Sequence, residues 1–514
     1  MRRRCAAPLA MPELSAVFQV AEIPVVRRPL IVAVGLAYFA AVALIALWAA
    51  RRTRTADDFF VAGRSVGLVP FALAAMASTL SGFAFIGGPG LVYAIGMTAV
   101  FIILPASVTN TMGALVLGKR MRLLGEIRGL VTVPDAIGAR YRSTTAQGLS
   151  AAAILVGIIG YVATNVLALG IVVDALFGVG LGTGIWVGTA ITLAYSASGG
   201  ILAGIYTDVF QGLLMAVASA IVFVFALDSG GGLAAITRTI QAADPALLGP
   251  WGAGGAMMAL SFFFVFAVGS LGQPQIAHKY YMLKDVRRLR WYPVLMTVSM
   301  LLAQLLFVGV GIAIKALVLR GEVPALARPD DATPQFLLAQ VPVVVSALVF
   351  AGVAAAIMST VNSFLSIGAA ALTHDIPRAL GRPVADRLRA GRLWTVALSI
   401  AAAALAHASG LLVAFLGIFG YGLFASTLVP ALAIGLNWEG ATREGAIASI
   451  SVGLVGTLAL ETLVWLKWIG IPQGATVSGL MLVLSLLAFF VVSRLTASRA
   501  AAQLDPDVRL VMDA

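Results

Sequence analysis

Ala77-Ser78-Thr79-Leu80-Ser81-Gly82 interrupts a long apolar run from about Leu68 to Ala94, and Gly87, Gly88, Pro89 and Gly90 follow closely. A helix filled this way costs roughly 1 kcal/mol per glycine and about 3 per proline relative to alanine. In a bilayer, backbone groups freed by a break must find partners in protein or line a cavity. A short polar interruption at membrane depth is therefore where a solute or ion is expected, with Ser78, Thr79, Ser81 and Gly82 as lining residues. Small residues also serve as packing seams between membrane helices, and this segment alone leaves both readings open.

The surroundings establish the membrane. The chain has 514 residues, 61% hydrophobic and only 11% charged, with a mean hydropathy of +1.01. Soluble proteins average about 25% charged residues. A hydrocarbon core of about 30 Å needs roughly 20 apolar residues per helical crossing. On that measure the sequence divides into thirteen spans, near 29–50, 67–95, 98–117, 147–177, 182–199, 201–227, 254–277, 292–316, 337–372, 393–409, 411–436, 444–466 and 476–492. The predicted fold is an all-α polytopic membrane protein.

The basic residues lie mostly on one side. The loops after spans 1, 3, 7 and 9, with Arg443 and the C-terminal tail, hold 24 of the 34 Lys and Arg. By the positive-inside rule that side, with the C-terminus, is cytoplasmic, and the N-terminus is outside. The arginines at 2–4, 27 and 28 oppose this, and Met11 is an alternative start. No signal peptide is evident in residues 1–28. The net charge of +12 is spread over short loops, so it reads as topology rather than nucleic-acid binding. A single cysteine, Cys5, excludes an internal disulfide and a cysteine metal cage. Three scattered histidines and no Ser/His pair or carboxylate dyad argue against an enzyme. Gly113 to Arg120 nearly matches a phosphate-binding loop but lacks the Ser or Thr that would hold magnesium.

A second interruption, Val268-Gly269-Ser270-Leu271-Gly272-Gln273-Pro274, falls in span 7, five spans after the first. Paired breaks in corresponding spans point to an inverted-repeat transporter. The repeats would be 67–227 and 254–436, a ten-helix core at 67–436. Span 29–50 would be an extra first helix, 444–496 two peripheral ones and 497–514 a cytoplasmic tail. In span 9, Ser359 and Thr360 follow Ala356 by three and four positions, which brings their hydroxyls near its carbonyl. With carbonyls freed at Ala77 and Leu80 they make five neutral oxygens, suited to a monovalent cation more than a divalent one. Hydroxyls in membrane helices also bond back to their own backbone. Asp174, Asp208 and Glu461 lie in or near spans, where an ionised group costs at least about 2.5 kcal/mol at mid-depth. Lys467 is a candidate partner for Glu461.

Several blocks occur in order over roughly residues 30–440. They are FFVAGRSVG (59–67), ASTLSGFAFIGGPGLVYAIG (77–96), TVPDAIGARY (132–141), GGILAGIYTDVFQG (199–212), GQPQ (272–275) and AAIMSTVNSFLSIGAAALTHD (355–375). Together they resemble the sodium:solute symporter family. The resemblance implies a LeuT-like fold of about 13 transmembrane helices, with an inverted five-plus-five repeat whose first helices, spans 2 and 7, are broken. It implies sodium as co-transported ion, a small organic solute as cargo, and the inner (plasma) membrane of a bacterium. It places sodium on the Ala77, Leu80 and Ala356 carbonyls and the Ser359 and Thr360 hydroxyls, coupling on Asp208, and solute or gate positions on Phe83, Phe266 and Ser270. Thr79 stands where the family's proline carriers have Asp, and Phe83 and Phe266 where they have Trp. The implied solute is an amino acid or small monocarboxylate. The alternatives are a proton-coupled transporter of the same fold, with Asp208 as carrier, and a transporter-like sensor. The stretch after residue 496 holds no kinase or receiver domain for the latter.

Overall fold

The computed structural model describes residues 28–50, 64–196, 201–382, 384–472 and 474–513. The N-terminal arginines up to Arg27, Cys5, Met11, the basic loop 51–63 and the end of the fifth predicted span at 197–199 lie outside the described residues. Among the described residues the secondary structure is helical apart from one isolated bridge, Val66 to Leu283. Among the described residues ten helices are long and apolar enough to cross a bilayer, and Pro29–Ile45, Leu68–Thr79 and Leu181–Ala194 are shorter apolar helices. Phe83–Arg128 supplies the rest of the second crossing and all of the third, which makes thirteen crossings.

In chain order the helices are α1 (Arg28–Ala50), α2 (Leu68–Thr79), α3 (Gly88–Ile95), α4 (Val100–Gly113), α5 (Lys119–Arg128), α6 (Val133–Tyr141) and α7 (Thr144–Phe177). Next come α8 (Leu181–Ser196), α9 (Ile201–Ser229), α10 (Leu233–Ala243), α11 (Gly255–Gly269), α12 (Pro274–Ala277), α13 (Tyr292–Leu319) and α14 (Ala332–Gln340). The last are α15 (Val343–Ala370), α16 (Ile376–Ala379), α17 (Arg387–Ser409), α18 (Val413–Leu428), α19 (Arg443–Trp465), α20 (Val477–Leu495) and α21 (Pro506–Met512).

Two crossings are broken, and they run in opposite directions. The foot of α2 is pinned to the basic face, where Val66 N–H donates to the Met282 carbonyl and Lys284 N–H to that of Val66. The start of α11 is held at the far end, where Ala253 N–H donates to the Ile95 carbonyl and Gly254 N–H to the Thr98 hydroxyl. Five crossings begin with each, which is the inverted repeat. Helices α7 and α15 run through the middle with most of their residues buried. Helices α19 and α20 pack on each other and on α18. The predicted span 337–372 needs correcting at its start: Pro342 lacks an N–H and sits at the N-cap of α15, so Ala332–Gln340 is a separate short helix. Helix α10 is a short amphipathic segment between the sixth and seventh crossings, too short to span the bilayer. The stretch Ala114–Gly118 is a wide helical turn inside the third crossing and no phosphate loop.

Candidate functional site

The first break is a turn into extended backbone at Leu80 (φ −83°, ψ 119°). Beyond it the Ser81 hydroxyl accepts the Phe83 N–H at 3.2 Å, and the Ser81 carbonyl accepts the N–H groups of Ala84 and Phe85. The second half-helix therefore starts with a capped end. Gly82 donates its N–H to Asn165 Oδ1 at 2.9 Å. A Cβ at Gly82 would lie 2.5 Å from the Ala168 Cβ, so close contact with α7 requires glycine there.

The carbonyls freed by this break point at α15. The Ser359 hydroxyl reaches the Ala77 carbonyl at 2.6 Å and the Ala356 carbonyl at 3.2 Å, while the Thr360 hydroxyl donates to the Leu80 carbonyl at 3.1 Å. All five residues are 0–2% exposed. Three carbonyls and two hydroxyls thus converge in one dry place, at the C-terminal end of a half-helix where carbonyl dipoles concentrate negative potential. Hydroxyls can turn their protons away and offer lone pairs instead. Such a set suits a small hard cation without a carboxylate.

The second break follows α11. The tight turn Ser270–Gly272 leads to extended Gln273 (ψ 111°), whose side chain donates to the Gly269 carbonyl at 3.1 Å. Above it stand stacked rings. Phe83 faces Phe266 at 5.7 Å between centroids, and Phe266 faces Tyr421 of α18 at 4.3 Å. Phe307 leans on Phe83 at 6.4 Å. The three stacked residues are at most 6% exposed, so the space between the breaks is closed. Ser270 bonds back to the Ala267 carbonyl at 3.1 Å, and Thr79 bonds back to that of Ala75 at 2.8 Å. In this conformation both use their hydroxyls locally.

Beneath the five oxygens, toward the basic face, lies a charged cluster. Asp208 of α9 is 1% exposed and accepts from Lys279 Nζ at 2.9 Å and from the Ser78 hydroxyl at 3.4 Å. Ser78 also meets Ser363 at 3.0 Å. A cavity of about 20 Å³ opens beside the pair, bordered by Gln275, Asn362 and Ser363. Lys279 was counted among the basic loop residues, but it is 5% exposed inside the short turn His278–Met282. Arg140 is likewise buried and donates to the carbonyls of Gly435, Trp438 and Ala441.

The two ends of the site carry further carboxylates. At the far end Asp330 accepts the Val413 N–H at 2.8 Å at the first turn of α18. Burial pushes this carboxyl up to about 7, with Asp331 adding to the effect and Arg328 opposing it. At the basic end Asp135 of α6 meets His374 at 3.0 Å and Arg378 at 3.1 Å. Burial works to raise the Asp135 carboxyl, but these partners hold it below its usual value. Asp135, His374 and Asp375 lie close enough to hold a metal ion. Arg378, Gln147 and the Thr132 hydroxyl already occupy carboxylate oxygens there, so the trio is an ion-pair network. Asp174 pairs with Arg328 at 3.6 Å. The suggested Lys467–Glu461 pair does not form among the described residues, and Lys467 lies two residues past the end of α19 with a positive φ of 58°.

The structure places most of the site residues singled out from the sequence in three layers rather than one; Thr79 turns its hydroxyl back to its own helix and Glu461 lies on the peripheral α19. Ala77, Leu80, Ala356, Ser359 and Thr360 form the oxygen set; Ser81, Gly82, Phe83, Phe266 and Ser270 line the breaks; Ser78 joins Asp208. Asn165, Tyr421, Gln273, Lys279 and Ser363 were missed. The signal for Asn165 was present: Tyr161, Thr164 and Asn165 are polar residues within about one turn of each other between the apolar runs 151–160 and 166–173.

The profile of the sodium:solute symporter family matches residues 59–453. The osmoregulated proline transporter OpuE of Bacillus subtilis is 27% identical over 92% of this chain and 96% of its own length. The sodium/pantothenate symporter of Escherichia coli is 28% identical over 90% and 96%. Among solved structures, a Na+-coupled sialic acid symporter in a substrate-bound outward-open state superposes with a TM-score of 0.73 at 20% identity, covering 91% of this chain and 98% of its own.

Proposed function

The chain belongs to the sodium:solute symporter family, and on that premise we propose which groups carry the ion and which the solute. It is a sodium-coupled symporter for a small organic solute, a multi-pass membrane protein and no enzyme. Sodium sits between α2 and α15, on the carbonyls of Ala77, Leu80 and Ala356 and the hydroxyls of Ser359 and Thr360. The observation that carries this is the meeting of two α15 hydroxyls with the two carbonyls that the break in α2 sets free. Without an ion the hydroxyl protons bridge the helices; with one, the same oxygens turn their lone pairs inward.

Solute occupies the space between the two breaks, against Ser81, Gly82, Phe83, Phe266 and Ser270, with Tyr421 closing it. The relatives named above are a proline transporter and a sodium/pantothenate symporter, and proline and pantothenate each carry one carboxylate. A pocket of aromatic faces and neutral polar groups fits an amino acid or small monocarboxylate better than a sugar. Asp208, with its charge satisfied by Lys279, couples the cycle as an inner gate: it ties α9 to the turn after the second break, and opening toward the basic face separates the pair. This same pairing disfavours Asp208 as a free proton carrier. The repeats span 67–227 and 254–436, and rocking one against the other exposes the site to each side in turn. The basic face is cytoplasmic and the N-terminus is outside.

The test is uptake into proteoliposomes of labelled proline, other amino acids, acetate, pyruvate, pantothenate and a sugar. Each is run with an inward sodium gradient, with potassium in its place, and with a proton gradient alone. Sodium-driven uptake of one solute is expected. Uptake driven by protons, and indifferent to Ser359→Ala and Thr360→Ala, would refute the sodium assignment.

A further inference from the structure

At the basic end of the molecule a cavity of about 710 Å³ lies between the foot of α2 and the turn Val286–Trp291 that leads into α13. Its wall carries Arg287, Arg288 and Arg290 against a single carboxylate, Asp285. That carboxylate accepts the backbone N–H of Arg287 at 2.9 Å and stands 3.8 Å from the Arg288 guanidinium, a loose and exposed pair. Among the described residues the Arg287 and Arg290 guanidiniums pair with no carboxylate, and Arg290 lies over the Trp291 ring at 5.7 Å. Leu68 and Val69 border the same cavity at the start of α2, an N-terminus that no side chain caps. Among the described residues the cavity therefore has excess positive charge, with the N–H groups of Leu68 and Val69 as open backbone donors.

Its other border is apolar and faces outward. Trp291 is 57% exposed and Val69 55%. From there Val294, Val298 and Leu301, at helical spacing along α13, form an exposed apolar stripe running up the span. A basic hollow that continues directly into a lipid-facing stripe, with a tryptophan at the junction, matches a molecule with an anionic head and apolar tails. Tryptophan concentrates at this depth of a bilayer, and arginines beside a membrane attract anionic headgroups. A free phosphate would satisfy the charge but has nothing to lay along the stripe.

We propose that this cavity is a binding site for one anionic phospholipid. The phosphodiester sits between Arg287, Arg290 and the first N–H groups of α2, and an acyl chain runs along Val294, Val298 and Leu301. The headgroup then rests against the foot of the half-helix that bears the Ala77 and Leu80 carbonyls. The site stands on its own geometry and does not depend on which ion or solute is carried.

Trp291 gives a direct readout. The protein is reconstituted into phosphatidylcholine vesicles containing increasing fractions of phosphatidylglycerol or phosphatidylcholine with brominated acyl chains, and tryptophan quenching is recorded. Trp291→Phe is the blank that isolates this residue. Brominated phosphatidylglycerol is expected to quench the Trp291 signal at low mole fraction and to saturate, while brominated phosphatidylcholine quenches in proportion to its abundance. Arg287→Gln with Arg290→Gln should reduce the preference on the order of tenfold. Equal quenching by both lipids in the unsubstituted protein would overturn the proposal without reliance on any variant. A Trp291 response to inorganic phosphate in pure phosphatidylcholine vesicles, with no saturable quenching by brominated phosphatidylglycerol, would overturn it in favour of a soluble anion.

Discussion

Removing the Thr360 hydroxyl, by Thr360→Ala, tests the ion site where its geometry is most specific. The hydroxyl is fully buried and reaches the Leu80 carbonyl at 3.1 Å, so it is one of five oxygens and no water replaces it without rearrangement. Polar contacts to a charged group contribute about 1.5–3 kcal/mol. The half-saturating sodium concentration should therefore rise roughly 10- to 150-fold. Thr360→Ser keeps the oxygen and loses one methyl, and should stay within a few-fold of the parent. An indirect effect has to be separated, because without sodium the same hydroxyl joins α2 to α15 by a hydrogen bond of about 1 kcal/mol. Thermal unfolding in sodium and in choline separates the two. At a sodium concentration one hundred times the parent's dissociation constant, the ion stabilises the parent by about 2.7 kcal/mol. For a variant thirty-fold weaker the same concentration yields about 0.9 kcal/mol. The choline measurement registers only the lost helix contact. Unchanged sodium activation in Thr360→Ala, with the maximal uptake rate intact, would refute the reasoning.

Lys279→Met should destabilise the folded protein by about 3–5 kcal/mol, because it leaves Asp208 charged and buried. Adding Asp208→Asn should restore most of that loss, whereas additive losses in a thermal-shift double-mutant cycle would show that the two do not act as a pair. Gly88→Ala places a Cβ 2.1 Å from the Phe307 ring, and overpacking of this kind costs about 1–3 kcal/mol. Phe307→Leu in the same chain should recover thermal stability if that contact is the cause. Asp330, raised to about 7 by burial, binds its proton more tightly folded than unfolded. Its contribution to stability is complete below about pH 4, and it is lost as the pH rises through 7. Subtracting the thermal midpoints of Asp330→Asn from those of the parent between pH 5 and 8 should leave a difference that shrinks on the acid side. A difference flat with pH would show that Asp330 titrates elsewhere.

Much of the site was legible because its signals are local. Gly82 and the polar residues around it interrupt an apolar run, and Gly269 to Pro274 repeat the interruption five spans later. Ser359 and Thr360 stand one turn after Ala356, directly after the apolar run Ala347–Met358. The family likeness then joined these separate signals into one expected ion site, and the structure brings the five oxygens together. Lys279 was misread because hydropathy counts a lysine near a span end as a loop charge. Nothing nearby in sequence announces that Asp208, on another helix, neutralises it. Tyr421 was passed over for a related reason, since an aromatic residue in an apolar span has no local mark of facing a pocket. Pro342 was a legible stop that the apolar residues on both sides obscured.

Sequence alone determined that this is a polytopic membrane protein, where its crossings fall, and where two of them break. Those properties follow from what a bilayer demands of each short segment: enough apolar length, and partners for every backbone group that a break releases. Tertiary structure decided which partners those are. Ser359 lies 282 positions from Ala77 and Thr360 lies 280 from Leu80. Their contact exists because α15 packs against the broken helix at one rotation and depth. Close packing at small residues, such as Gly82 against Ile357 of α15 and Ala168 of α7, sets that rotation, and with it whether the freed carbonyls meet hydroxyls, a lysine or lipid.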